Sequence, residues 1–243
     1  MSDITAQISQ KISQLSQEFE VVTNNMANVS TVGYKRRMND FAKLMTDKLN
    51  PPAKEEDKPY SPVIYDFSQG TLDQTGGKLD FALCGNGFFT IETPDGPLYT
   101  RNGLFHLDRD GKIVDSQGRF LSGESGPISI PPTVGLMDVA VAPDGTVAAG
   151  SMPVGKLKLV DFGDDQNKLV AVGANCFKMT DDKVKPTAPK DTTVQQGALE
   201  GSNVQLVEEL VDMIMVSRLY ESNMKFMNVK KDTSQSLMGV AMA

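Results

Sequence analysis

The sequence is poor in the residues that most often carry catalysis and metal binding. Its 243 residues include two cysteines, one histidine and no tryptophan. Cys84 and Cys176 lie far apart, so they lack the paired spacing of a zinc site, while a disulfide between them stays open. His106 belongs to no nucleophile motif, and we expect it on a strand surface. We therefore expect no enzyme activity, no metal and no cofactor.

The charge is acidic, and long apolar runs are missing. Asp and Glu number 31 against 24 Lys and Arg, for a formal net charge of -7. A nucleic-acid binder needs a basic face, so no nucleic acid is expected as a partner, and no motif indicates a small-molecule substrate. Apolar runs fall far short of the roughly 20 residues of a membrane-spanning helix. The N-terminus lacks the pattern of a cleaved signal peptide.

The first thirty residues carry a heptad pattern of apolar side chains. Spacings of four and three alternate, which is typical of a helix with a narrow apolar stripe. The members of this stripe are Ile8, Ile12, Leu15, Phe19, Val22 and Met26. We expect the helix to stop near residues 28–30, ahead of Gly33. The stripe is interpreted as a coiled-coil surface that needs partners, and the alternative is an amphipathic helix packed on its own domain.

The last forty residues repeat the pattern with a wider stripe. Its ladder is formed by Leu206, Leu210, Met213, Tyr220, Met224 and Met227. Ser202 or Asn203 is the candidate N-cap, and Glu208 and Glu209 follow where the helix dipole favours acid. A stripe this wide predicts contact with more than one neighbouring helix.

Between the two helices the sequence predicts a β domain. Short runs of β-branched and aromatic residues alternate with turn dipeptides such as Asp95-Gly96 and Asp110-Gly111. Strands of this length and spacing predict an antiparallel sandwich or barrel. The predicted domains are a terminal-helix domain, an extended linker rich in proline and charge, and a central β domain. Their bounds are 1–35 plus 200–243 for the terminal helices, 36–69 for the linker, and 70–199 for the β domain.

Three separate stretches resemble the bacterial flagellar axial family of rod and hook proteins. Residues 24–36, NNMANVSTVGYKR, resemble its N-terminal box, and residues 70–126 resemble its central β motif. Residues 197–227, which begin GALEGSNVQL, resemble its C-terminal box. Together the three cover about half of the chain, in the order of the family. Residues 123–132, GESGPISIPP, are similar to proximal rod proteins, and a distal rod or hook-type subunit is the next alternative.

The resemblance implies a mixed α and β fold. A central antiparallel all-β domain would be flanked by N- and C-terminal helices that form a coiled-coil inner domain. The implied function is a structural subunit of the basal-body rod, polymerising through its terminal helices into a helical tube that transmits motor torque. The implied partners are the chain itself, other flagellar axial proteins and the flagellar export apparatus. The implied location is the basal body in the periplasmic space, reached without a cleaved signal peptide.

We expect both apolar stripes to line the subunit interface, together with polar residues of the two boxes. Helix propensity disfavours Asn24, Asn25 and Asn28, so their amides are predicted to hydrogen-bond across subunit contacts, with solvation as the alternative. The remaining predicted interface residues are Gly33, Ser202, Asn203 and Val204. The basic run of residues 35–37 either pairs with acid on a neighbour or is solvated.

Two other classes of function stay open. A self-contained β-domain binding module, dimerised by its helices, would use aromatic residues such as Phe88 and Tyr99 at a sugar site, although their alternation favours core packing. A hydrolase would use acid pairs such as Asp108-Asp110 or Asp164-Asp165. These pairs occur in turn-like runs, where acids commonly serve as turn residues.

Overall fold

The computed structural model describes residues 2–39, 63–181 and 183–241. The chain divides into two compact units, which we call the helical unit and the β unit. The helical unit comprises residues 1–29, 37–64 and 204–243, and the β unit comprises residues 30–36 and 65–203. The predicted linker at 36–69 lies largely outside the described residues.

Two long helices dominate the helical unit. Helix α1 spans Ser2–Ala27 and helix α2 spans Leu206–Ala241, and the two pack against each other. The end of α1 agrees with the stop predicted near residues 28–30. Strands β1 (Arg37–Asn39) and β2 (Val63–Tyr65) form a two-stranded sheet. Over the described residues, neither helix combines the length and apolarity needed to cross a membrane.

The β unit consists of short strands separated by turns. Its first eight strands are β3 (Leu72–Gln74), β4 (Phe81–Cys84), β5 (Phe88–Glu92), β6 (Leu98–Thr100), β7 (His106–Leu107), β8 (Ile113–Val114), β9 (Phe120–Gly123) and β10 (Gly126–Pro127). The remaining eight are β11 (Val139–Val141), β12 (Thr146–Ala149), β13 (Met152–Lys156), β14 (Leu159–Val160), β15 (Leu169–Gly173), β16 (Cys176–Met179), β17 (Thr193–Gln196) and β18 (Ala198–Glu200). Two 3₁₀ turns lie at Leu136–Asp138 and Gly163–Lys168.

The strand pairing is antiparallel. The largest sheet follows the order β15-β16-β6-β5-β9-β8-β7, with β10 beside β9 and β14 beside β5. Strands β11, β12 and β13 form a separate meander. Near the end of the unit, β17 returns to pair with β4 and β18 returns to pair with β3. The predicted mixed fold, with terminal helices and a central antiparallel β region, is confirmed.

Two apolar clusters form the core of the β unit. One includes Phe81, Phe89 and Ile91, and the other is built around Phe88 and Tyr99. The Tyr99 ring meets Phe162 edge-on, with ring centroids 4.8 Å apart. Because these aromatic side chains are buried, they pack the core and do not line an open sugar site.

The acid pairs named above lie in turns, and the two cysteines are not bonded to each other. Asp108 Oδ1 accepts hydrogen bonds from the backbone N–H groups of Asp110 and Lys112, as a turn residue does. Asp164 and Asp165 follow Gly163 in the second 3₁₀ turn. Cys84 and Cys176 are free thiols, so they do not form the disulfide that the sequence allowed. His106 lies exposed on β7, as expected.

Residues 128–130 join the sheet through a single β-bridge and do not form a regular strand. The segment pairs through the bridge between Lys112 and Ser129, flanked by hydrogen bonds from the Ile113 N–H to the Ile128 carbonyl and from the Ile130 N–H to the Gly111 carbonyl. Ile128 and Ile130 are nevertheless buried in the core. The segment lies between Pro127 and Pro131, which lack the N–H groups that a longer ladder requires.

Candidate functional site

The apolar stripe of α1 is partly covered within one chain. Ile8 and Val22 are buried, and Ile12, Leu15 and Met26 are half-buried. Phe19 remains 42% exposed in the middle of the helix. The intramolecular contact between α1 and α2 therefore uses part of the stripe and leaves apolar surface at Phe19.

The predicted ladder of α2 divides into two sets. Met213, Met224 and Met227 are half-buried, whereas Leu206, Leu210 and Tyr220 are exposed. The most buried residues of the described helix are Glu209 and Val216, which the sequence reasoning missed. Val216 follows Met213 by three positions, and residues at this spacing lie on the same side of a helix. The spacing could therefore have predicted that Val216 is buried together with Met213.

A second face of α2 is apolar and exposed. We call it the outer band, and its members keep between 50% and 73% of their surface exposed: Val207, Val211, Ile214, Met215, Leu219 and Phe226. At 100° per residue Val207, Val211 and Ile214 lie on the opposite side of the helix from Glu209 and Val216, and Met215, Leu219 and Phe226 lie on the adjoining flank. An exposed and largely apolar surface of this kind marks an interaction site.

A groove lies between the two helices. Its volume is about 360 Å³, and its walls include Leu15, Ser16 and Phe19 of α1 and Val216, Tyr220 and Glu221 of α2. We call it the helix groove. Two of its residues, Leu15 and Tyr220, belong to the stripes that the sequence predicted as subunit interface.

The asparagine amides of the N-terminal box bond within the chain. Asn25 Oδ1 accepts from the N–H of Arg37 at 2.8 Å, and Asn25 Nδ2 donates to the Arg37 carbonyl at 2.9 Å and to the Glu209 carboxylate at 3.2 Å. Asn24 and Asn28 donate to carbonyls four residues earlier. Since Asn25 is 1% exposed, its amide joins α1 to β1 and α2, and it has no surface left for a neighbouring subunit.

A buried charge cluster inside the β unit includes one residue from each of the two boxes. Lys35 Nζ donates to Glu200 Oε1 at 2.6 Å, and Arg101 Nη1 donates to Glu200 Oε2 at 3.1 Å. All three side chains are almost completely buried. The expectation that Lys35 is solvated or pairs with a neighbouring subunit is therefore wrong, because its partner lies in the same chain.

Backbone groups complete the charge cluster. The Gly70 N–H donates to Glu200 Oε1 at 3.0 Å, and Lys35 Nζ donates to the Ser68 carbonyl at 2.7 Å. Desolvation lowers the pKa of Lys35 and of Arg101, while the Glu200 charge opposes that shift in both cases. The Arg101 guanidinium also lies 5.4 Å from the Phe88 ring centroid. Two buried cations thus depend on one carboxylate.

Gly33 and Asn203 have roles inside the β unit. Gly33 has a φ of +66°, and a Cβ there would lie 2.3 Å from the Asn102 nitrogen, so only glycine fits. Asn203 Oδ1 accepts from the Arg36 N–H at 2.7 Å, and its Nδ2 donates to the Asp66 carbonyl at 2.9 Å. Both residues hold segments of this chain together.

The N-cap prediction for α2 is wrong. The helix begins at Leu206, so the capping position falls on Gln205 and not on Ser202 or Asn203. The Asn203 side-chain amide instead forms hydrogen bonds with the backbone of residues 36, 66 and 68. Ser202 is half-buried and Val204 is buried, which places both in the connection that leads into the helix.

Three family models match successive parts of the chain. The "Flagella basal body rod protein" model matches residues 12–35, and the "Flagellar hook protein FlgE/F/G D1 domain" model matches residues 82–149. The "Flagellar basal body rod FlgEFG protein C-terminal" model matches residues 195–240. The first and third contain the charge-cluster residues Lys35 and Glu200. All three models describe rod or hook proteins, and none of the three describes an enzyme.

Curated relatives match over nearly the whole chain. The rod protein FlgF of Caulobacter vibrioides is 35% identical over 231 residues, which is 91% of each chain. The rod protein FlgG of Buchnera aphidicola subsp. Schizaphis graminum is 34% identical and covers 89% of this chain and 91% of its own. FlgF of Escherichia coli is 31% identical over 91% of each chain. This chain belongs to the flagellar basal-body rod protein family, as a structural subunit of the rod.

Proposed function

We propose that the chain polymerises through its terminal helices into the helical tube of the rod and so transmits motor torque. The observation that carries this proposal is the outer band of α2, which the chain leaves exposed along the described helix. Burying half of six such side chains is worth on the order of 5 kcal/mol per subunit, as an upper estimate. A rod subunit obtains this free energy by contact with neighbouring copies.

The inner domain of the tube would be built from residues 1–35 and 200–243, with α1 and α2 in coiled-coil pairs. Residues 70–199 would form its outer β domain. A coiled coil requires apolar residues at two positions in seven, and the α1 stripe provides them. Identical subunits joined by contacts that do not close on themselves form an open helical assembly. The exposed ladder residues Leu206, Leu210 and Tyr220 are proposed to contact neighbouring copies.

The buried charge cluster supports a role in carrying load. Residues 35 and 200 lie on the two segments that lead to the helices, and both side chains bond inside the β unit. Pulling either segment out would separate buried opposite charges, which costs several kcal/mol. The cluster would therefore keep both ends of the subunit attached while the tube transmits torque.

The place of the chain in the flagellum follows from the same proposal. Residues 123–132 support a proximal rod subunit in the periplasmic space, and a distal rod or hook-type subunit is the second candidate. Other axial proteins would be its neighbours. The flagellar export apparatus would deliver it without a cleaved signal peptide.

Sedimentation velocity of the purified full chain, at increasing concentration, tests the proposal. A rod subunit is expected to add copies continuously, giving species that grow with concentration. The rival binding module would stop at a closed dimer. A chain that remains a monomer or plateaus at two copies at every concentration would contradict polymerisation.

A further inference from the structure

The helical unit presents two apolar surfaces that differ from each other. One is the outer band, a convex row on α2 alone, and the other is the helix groove between α1 and α2. Side chains protruding from one helix pack into depressions on another, so these two shapes are complementary. A contact between the outer bands of two copies would be symmetrical, and assembly would stop at a dimer. A contact between the band of one copy and the groove of another leaves a free groove on the first copy and a free band on the second, so further copies can add.

We propose that the outer band of α2 of one copy docks into the helix groove of the next copy. This inference rests on the proposed polymerisation and specifies which surfaces of the helical unit meet. The band runs for roughly 30 Å along the helix, at 1.5 Å per residue from Val207 to Phe226. It is therefore long enough to seat a bulky side chain, such as Leu219 or Phe226, in the groove and to continue along the neighbouring helices.

The charges of the two surfaces are complementary toward the C-terminal part of the band. Arg218 and Lys225 fall among its apolar residues there and are exposed, while the exposed Glu208 lies at its N-terminal end. Neither forms a salt bridge within the described part of the chain. On the other surface, Glu221 lines the groove, and Glu20 lies one helical turn after Ser16 on the same flank of α1. Opposite charges at the rim of a contact favour one orientation over others.

Disulfide trapping in mixtures of two variants, each with one added cysteine, tests the pairing. One variant carries Ser16→Cys in the groove, and the other carries Val211→Cys, Met215→Cys or Leu219→Cys in the band. Under mild oxidation and assembling conditions, at least one mixture is expected to give a covalent pair of one copy of each. Its yield should exceed that of the control by about tenfold or more, because docking raises the effective concentration of the two thiols.

The control variant is Gln14→Cys, which is also exposed on α1 but lies on a different flank. The unmodified chain reports any background from Cys84 and Cys176. Assembly without a groove-to-band disulfide, or with band variants that crosslink mainly to themselves, would overturn the pairing and leave the proposed polymerisation intact. If another part of the same chain or a different protein covers the band, the chain would assemble without a groove-to-band disulfide. Absence of any assembly would overturn both proposals.

Discussion

Replacing Glu200 with alanine is expected to lower the free energy of unfolding by about 3 to 5 kcal/mol. The Glu200 carboxylate is fully buried and is shared by Lys35 and Arg101. Its removal leaves two desolvated cations without their counter-charge, and it also removes an acceptor from the Gly70 N–H. A surface ion pair would contribute far less, because water replaces the lost partner.

Urea unfolding of the full chain, followed by circular dichroism, measures this effect. The matched control is Glu124→Ala, since Glu124 forms an exposed pair with Lys156 at 3.3 Å, and its loss should cost no more than about 1 kcal/mol. Glu200→Gln keeps the shape of the side chain while removing its charge, so its cost should lie between the two. Equal costs for Glu200→Ala and Glu124→Ala would show that the buried cluster does not stabilise the fold.

Replacing Leu210 with aspartate is expected to raise the concentration needed for assembly at least about 100-fold. Leu210 is exposed in the single chain, so the subunit should keep its fold. Leu210 keeps 41% of its surface exposed, so in the proposed interface the substitution loses roughly 1 kcal/mol of apolar burial and adds several kcal/mol for desolvating a carboxylate. Because each 1.4 kcal/mol is worth a factor of ten, these terms together exceed the 100-fold estimate.

Sedimentation of Leu210→Asp beside Leu210→Met checks this expectation. Methionine preserves the apolar surface and should assemble like the unmodified chain. Circular dichroism melting of both variants establishes whether the subunit fold is retained. If Leu210→Asp assembles normally while it remains folded, then Leu210 lies outside the subunit contacts and the ladder of α2 does not form the interface.

The sequence predicted those features that depend on local periodicity. The heptad spacing from Ile8 to Met26 predicted α1, and turn dipeptides such as Asp95-Gly96 separated strands correctly. The apolar residues of α2 also predicted a helix with more than one contact face. In each case neighbouring residues in the chain carry the whole signal.

Features that depend on distant partners escaped prediction. Lys35 sits in a basic run that looks solvated, and its burial follows from Glu200, which arrives from the other end of the chain. Strands β3 and β18 pair across a similarly long separation and carry no alternating pattern of their own. The N-cap of α2 was misplaced because the Asn203 amide bonds to residues 36 and 66 instead of the helix.

Hydrogen exchange of the free and the assembled chain tests the central claim most directly. If the terminal helices obtain their stability from neighbouring copies, residues 2–27 and 206–230 should exchange rapidly in the free chain and slowly in the assembly. Amides of the buried strands, such as β5 and β9, should exchange slowly in both states. Helices that are equally protected in the free chain and in the assembly would contradict the account, because they would already be complete within one subunit.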